Sequence, residues 1–241
     1  MKLLNDTNQP EAYRIWAAVG LGRMLLLPVI DLPTKQRQDI VAALIAALNR
    51  DKGGAWWLQM RQVEALGQCN ISSDSAGRPI VLQTLGEILA DKDRPWIVRA
   101  EAAQAIGRIP IDKKVDYSVL VSQIIRLGQQ MADEAVKDPR KSDWGLCFFK
   151  LYLAFKPANA DEQKKGYGLL NKGSGQLGAH QKTIDDAYKA ILPMLTQVIA
   201  DITSNKPLNL AGHAARLGTW LQANEPKESK IAPNEKPLAA K

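Results

Sequence analysis

Histidine and cysteine are nearly missing from this chain, with two of each in 241 residues. His180 and His213 lie 33 positions apart, and neither has a cysteine or carboxylate at a zinc-type spacing, so no metal site is expected. Cys69 and Cys147 are too isolated for a disulfide framework and read as two small buried thiols. No run approaches the roughly 18 apolar residues of a membrane span, and the opening MKLLNDTNQP is too polar for a signal peptide. Blocks of like charge are also lacking. The net charge of +7 comes from 32 basic and 25 acidic residues spread along the chain, which weakens a nucleic-acid or membrane-surface reading. The expectation is a soluble chain, cytoplasmic by default, or secretory if it is a piece of a longer protein. No P-loop occurs. GSGQLG at 173–178 has the glycine spacing of a dinucleotide loop but follows a polar stretch, not a strand, so it reads as a plain loop and no cofactor is expected.

What the chain does have is small residues in a repeating order. RIWAAVGLGR (14–23), QMRQVEALGQ (59–68) and RAEAAQAIGR (99–108) align on Gly22, Gly67 and Gly107, which are 45 and 40 residues apart. The first and third share Arg14/Arg99, Ala17/Ala102, Ala18/Ala103, Leu21/Ile106 and Arg23/Arg108. The middle copy keeps Ala65, Leu66 and Gly67 but has Gln59 at the arginine position. Each copy follows an apolar helical run and a polar turn holding Asp6, Asp51 or Asp91, and Asp138 marks a fourth turn. Pro10 and Pro95 suit the entry to the next helix. A glycine inside a helix costs about 1 kcal/mol in propensity, so its recurrence implies a close contact that a side chain would block.

A helix, an Asp turn and an alanine-rich helix with this Arg/Ala-Ala/Leu-Gly pattern, repeating every 40–47 residues, resembles the HEAT and armadillo-like helical repeats. The likeness is close over 1–110 and loose over 111–222. It implies an all-α fold: an α-solenoid of about four HEAT-like helix pairs, winding as a right-handed superhelix, with a degenerate C-terminal half. It also implies that the turn aspartates and the helix arginines (Asp6, Asp51, Asp91, Arg14 and Arg99 here) bond across repeats. The missing arginine at Gln59 puts the middle link in doubt.

The periodicity predicts outer helices at about 36–50, 77–91, 116–134 and 179–202, and inner helices at about 10–24, 56–69, 94–109, 143–155 and 208–222. Residues 2–4 read as the end of an outer helix, which implies a piece of a longer array. The organisation expected is HEAT-like repeats over 1–110, divergent repeats over 111–222 with a glycine-rich insertion at 156–180, and a disordered Pro- and Lys-rich tail or linker over 223–241. WGLCFFKLYLAF (144–155) is apolar on nearly every side and is expected to be covered all round.

No catalytic constellation emerges. SSDS (72–75) has no histidine partner and reads as a turn and cap cluster. Trp57, Trp96 and Trp144 enter inner helices and read as staples to a neighbouring repeat, with an aromatic binding strip as the alternative. Positions −6, −3 and +1 from each repeat glycine share one helical side, away from the alanines. They are Trp16, Val19 and Arg23; Arg61, Glu64 and Gln68; and Glu101, Gln104 and Arg108. Their mixed charge suits a protein or peptide partner docked along the inner helices, with no catalysis. A basic nucleic-acid-binding repeat, like the HEAT-fold alkyl-base glycosylases, is the alternative, and a lyase-type enzyme is a more distant one.

Overall fold

Proline and aspartate mark where the helices begin and end. The computed structural model describes residues 1–27, 32–173 and 175–238. The helices are α1 (Lys2–Asn5), α2 (Glu11–Leu26), α3 (Thr34–Arg50), α4 (Trp56–Gly67), α5 (Ile80–Ala90) and α6 (Trp96–Arg108), followed by α7 (Tyr117–Lys137), α8 (Trp144–Phe155), α9 (Ala160–Lys164), α10 (Gln181–Thr203) and α11 (Ala211–Asn224). Pro10, Pro33, Pro79 and Pro95 immediately precede α2, α3, α5 and α6, where a fixed φ suits helix entry and no N–H is needed. Asp116 caps α7 by accepting from the Ser118 N–H at 2.9 Å. No strand occurs among the described residues, so the fold is all-α as expected. The long helices start and stop within three residues of the periodicity's limits, and α10 continues through Pro193.

The helices lie in two rows. In one, α2 packs on α4, α4 on α6 and α6 on α8, and the lighter contacts of α1 with α3, α3 with α5 and α5 with α7 form the other. The repeat glycines explain the tightness of the first row. A Cβ on Gly22 would come within 2.9 Å of Ala65 Cα, one on Gly67 within 2.8 Å of Ala105 Cβ, and one on Gly107 within 2.5 Å of the Ala154 carbonyl oxygen. Each glycine therefore meets an alanine of the next helix at a separation no side chain tolerates. Ala65 and Ala105 stand two residues before the next repeat glycine, so the same contact recurs from copy to copy.

Arginines tie the turns together. Arg14 bonds the Leu4 carbonyl and reaches Asp51 of the next turn at 2.5 Å, with both side chains buried. Burial opposes ionisation of Asp51, but hydrogen bonds from Arg14, Gln62 and Arg50 outweigh it and hold the carboxyl below its ordinary range. The middle copy, lacking the arginine, is served from the following turn: Arg94 donates to Gln59 Oε1 and to the Leu48 carbonyl. Arg99 repeats the bond of Arg14 to a carbonyl ten residues upstream, that of Leu89. Its other partner is not a turn aspartate, as the sequence led us to expect, but Gln130 of α7 at 2.7 Å.

After α6 the regular pairing is lost. Helix α7 packs chiefly on α11, and α10 touches α7, α8 and α11. Two further expectations fail here. Residues 225–238 do not trail as a disordered tail: Ile231 and Leu238 are fully buried, the Ile231 carbonyl accepts from the Asp116 N–H at 2.7 Å, and Leu238 sits over Gly86. The segment has few apolar residues, but two suffice because each enters the core. Residues 239–241 lie outside the described residues. Nor is α8 covered all round, since Leu146 and Phe149 are about half exposed.

Candidate functional site

The strip on the inner helices is partly open and partly closed. Trp16, Val19 and Arg23 of α2 face Arg61 and Glu64 of α4, and Gln68 just after it, across a groove of about 460 Å³. The glycine contact at Gly22 draws the two helices together, and the longer side chains one turn away splay outward to form the walls. Trp16 is 70% exposed. Arg61 Nη1 and Glu64 Oε2 pair at 2.5 Å along α4, on the surface. Arg23 is exposed and makes no ion pair among the described residues. Past Leu26 and Gln68 the groove runs into a second hollow of about 310 Å³, bounded by Arg37, Arg108, Lys165 and Tyr167.

Glu101 and Gln104 do not join this surface. They are 2% and 4% exposed, and Lys150 of α8 covers both, contacting the Glu101 carboxylate and donating to Gln104 Oε1 at 3.1 Å. Arg108 turns to Glu162 at 3.2 Å and lies over the Tyr167 ring. The physical reason is α8 for the first two and the insertion at 156–180 for Arg108. Its Gly168 N–H bonds the Gly107 carbonyl at 2.9 Å, and Lys172 Nζ caps the Ile109 carbonyl at 3.0 Å. With Leu169 and Leu177 buried, this segment closes over the end of α6 and leaves Arg108 at the edge. Burial pulls the Lys172 ammonium down to about 8.

Aromatic residues missed by the strip extend the open part. Trp57 falls ten positions before Gly67, on the same side as Arg61 and Glu64, and is 54% exposed with its ring stacked on Trp56. Tyr13 is 55% exposed at the start of α2. Carrying the spacing back one further turn finds Trp57. The staple reading fits Trp96 and Trp144, whose rings meet at 6.1 Å with Trp144 buried, but not Trp57.

The remaining motifs hold structural positions. Ser72 and Ser73 both donate to Asp112, and Asp74 accepts from the Ala76 and Arg78 N–H groups of its own turn. Cys69 and Cys147 are buried and unpaired, and burial pushes both thiols up to about 12. In GSGQLG, Gly175 and Gly178 have positive φ in a loop leading to α10, and Ser174 lies outside the described residues. No cluster of three or more histidines, cysteines or carboxylates suited to a metal is found among the described residues, and no described helix is long and apolar enough to cross a membrane. Comparison with family models, curated proteins and solved structures finds no match for this chain.

Proposed function

We propose that this chain is a HEAT-like helical-repeat scaffold that works by binding and not by catalysis, docking a protein or peptide partner in the groove between α2 and α4. The two rows of helices, the glycine–alanine contacts repeated from copy to copy and the arginine ties support the repeat architecture, wound as a right-handed α-solenoid. The observation that carries the function is Trp16. A tryptophan 70% exposed at the mouth of a groove, flanked by Arg23 and the Arg61–Glu64 pair, has the composition of a protein-binding hot spot. Tyr13 and Trp57 widen the same anchor.

The groove's charge separates this reading from a nucleic-acid one. Glu64 neutralises Arg61, and a phosphate backbone would meet that carboxylate. The test is fluorescence anisotropy with a labelled 20-base-pair DNA duplex at about 50 and 200 mM salt, a range that reduces phosphate-driven binding by orders of magnitude. Expected is weak binding that Trp16→Ala and Arg23→Ala leave unchanged. Tight, steeply salt-dependent binding abolished by Arg23→Ala and Arg61→Ala would overturn the proposal.

A further inference from the structure

A second open surface lies between α8 and the C-terminal half of α10, away from the α2–α4 groove and independent of the function proposed for it. It is a hollow of about 450 Å³ with an apolar floor, where Phe148 and Leu195 are 1% and 3% exposed. Its walls are large apolar side chains left in the open: Leu146 50%, Phe149 47%, Ile199 61% and Ile202 49% exposed. Gly145 opens one end, where Ile202 is the nearest atom source to its absent Cβ, at 3.0 Å. Four such side chains meeting in one concave place are more than the scattered apolar residues of an ordinary surface.

The same end is basic. A hollow of about 230 Å³ shares Gly145 and Ile202 with the apolar one and is lined by Arg140, Lys141 and Lys206, with no carboxylate in its lining. Among the described residues neither Arg140 nor Lys206 makes an ion pair, and Lys141 rests on the Trp144 ring. Asp143 is not in the lining and accepts from Ser142, which is.

We infer that the α8–α10 hollow docks an amphipathic helix of a partner protein, its apolar face on Phe149 and Ile199 and acidic residues at one end facing Arg140 and Lys206. Two packed helices leave a slot that a third fills by seating its ridge of side chains at i, i+3/i+4 and i+7. Helix α8 has 12 residues, about 18 Å, so the contact spans about three turns of the partner. A flat bilayer cannot reach the buried floor of a concave slot. This chain's other exposed apolar face, at Trp16, carries Arg23 and the Arg61–Glu64 pair, so it offers a second copy no net acidic end to set against Arg140 and Lys206.

The experiment selects binders from a library of random 16-residue peptides displayed on phage, using the full chain as bait. It is run in parallel on the double variants Phe149→Ser/Ile199→Ser and Arg140→Glu/Lys206→Glu. All four side chains are exposed, so the variants keep the fold, and matching thermal melts check this. Wild type is expected to enrich peptides with helically spaced apolar residues and acidic residues clustered at one end. Their affinity, read by anisotropy, should fall about tenfold or more in the Phe149→Ser/Ile199→Ser variant. The charge-reversed variant should enrich peptides with basic ends instead. Enrichment unchanged in the apolar variant, selected peptides without acidic residues, or no enrichment would overturn the proposal. So would concentration-dependent self-association, or binding to vesicles containing phosphatidylserine, that Ile199→Ser removes.

Discussion

Replacing Gly107 by alanine tests the packing of the helices in a single atom. In helix propensity the change gains about 1 kcal/mol. In this place the new Cβ would stand 2.5 Å from the Ala154 carbonyl oxygen, 3.0 Å from its carbonyl carbon and 3.1 Å from its Cα. An ordinary carbon–oxygen contact needs about 3.3 Å, so α6 and α8 must separate by about 0.8 Å. The obstacle is backbone, with no flexible side chain to swing away, and the Gly107 carbonyl is also held by the Gly168 N–H. Overpacking of this kind costs about 1–3 kcal/mol, which cancels or exceeds the propensity gain. Gly20, in the middle of α2, is the internal control. An added Cβ there meets nothing within 4 Å, so Gly20→Ala should stabilise by about 0.5–1 kcal/mol. Guanidinium unfolding followed by circular dichroism should place the two variants about 1–3 kcal/mol apart, or several degrees in melting temperature for a chain this long. If Gly107→Ala stabilises as much as Gly20→Ala, the close approach of α6 to α8 is not there and the packing argument fails.

Four other expectations follow from buried groups. Asp51→Ala leaves Arg14 charged and buried without its partner and should cost about 3–5 kcal/mol in urea unfolding; a loss under about 1 kcal/mol contradicts the tie between turns. Because the folded Asp51 carboxyl is held below its ordinary value, its contribution is present above the unfolded value of about 3.9 and is lost as pH falls through the folded one. Asp51→Asn should therefore flatten the fall in stability below about pH 4, and an unchanged acid limb would count against it. Leu238→Ala should cost about 2 kcal/mol or more and expose 225–238 to protease, whereas a free tail would show neither effect. Both thiols should react with a disulfide reagent at neutral pH only as fast as the chain opens, and rapid labelling of Cys69 in the folded protein would contradict its burial.

The local part of the fold was legible in the sequence. Helix ends follow from apolar spacing, the prolines and the aspartate turns, and these act within a few residues. The repeat glycines were legible too, because a residue that weakens a helix persists only where a neighbour needs the space. What spacing could not show is which elements come back from a distance. Glu101 and Gln104 stand at the positions equivalent to Arg61 and Glu64, but Lys150 of α8 covers them, and the 156–180 insertion takes up Arg108. Helix α8 read as enclosed because its own residues are apolar, but exposure depends on what stands opposite, and the described residues leave Phe149 about half exposed. The tail read as unstructured on composition, yet Ile231 and Leu238 are enough to fasten it.

The central claim is that the α2–α4 groove receives a protein. The most direct measurement places a photo-crosslinking benzoylphenylalanine at position 16, with a control at the exposed Asp133 of α7, and irradiates both in the cells that make the protein. The account predicts a discrete protease-sensitive adduct from position 16 that Glu64→Arg weakens and position 133 does not give. A nuclease-sensitive adduct, or the same adducts from both positions, would contradict it.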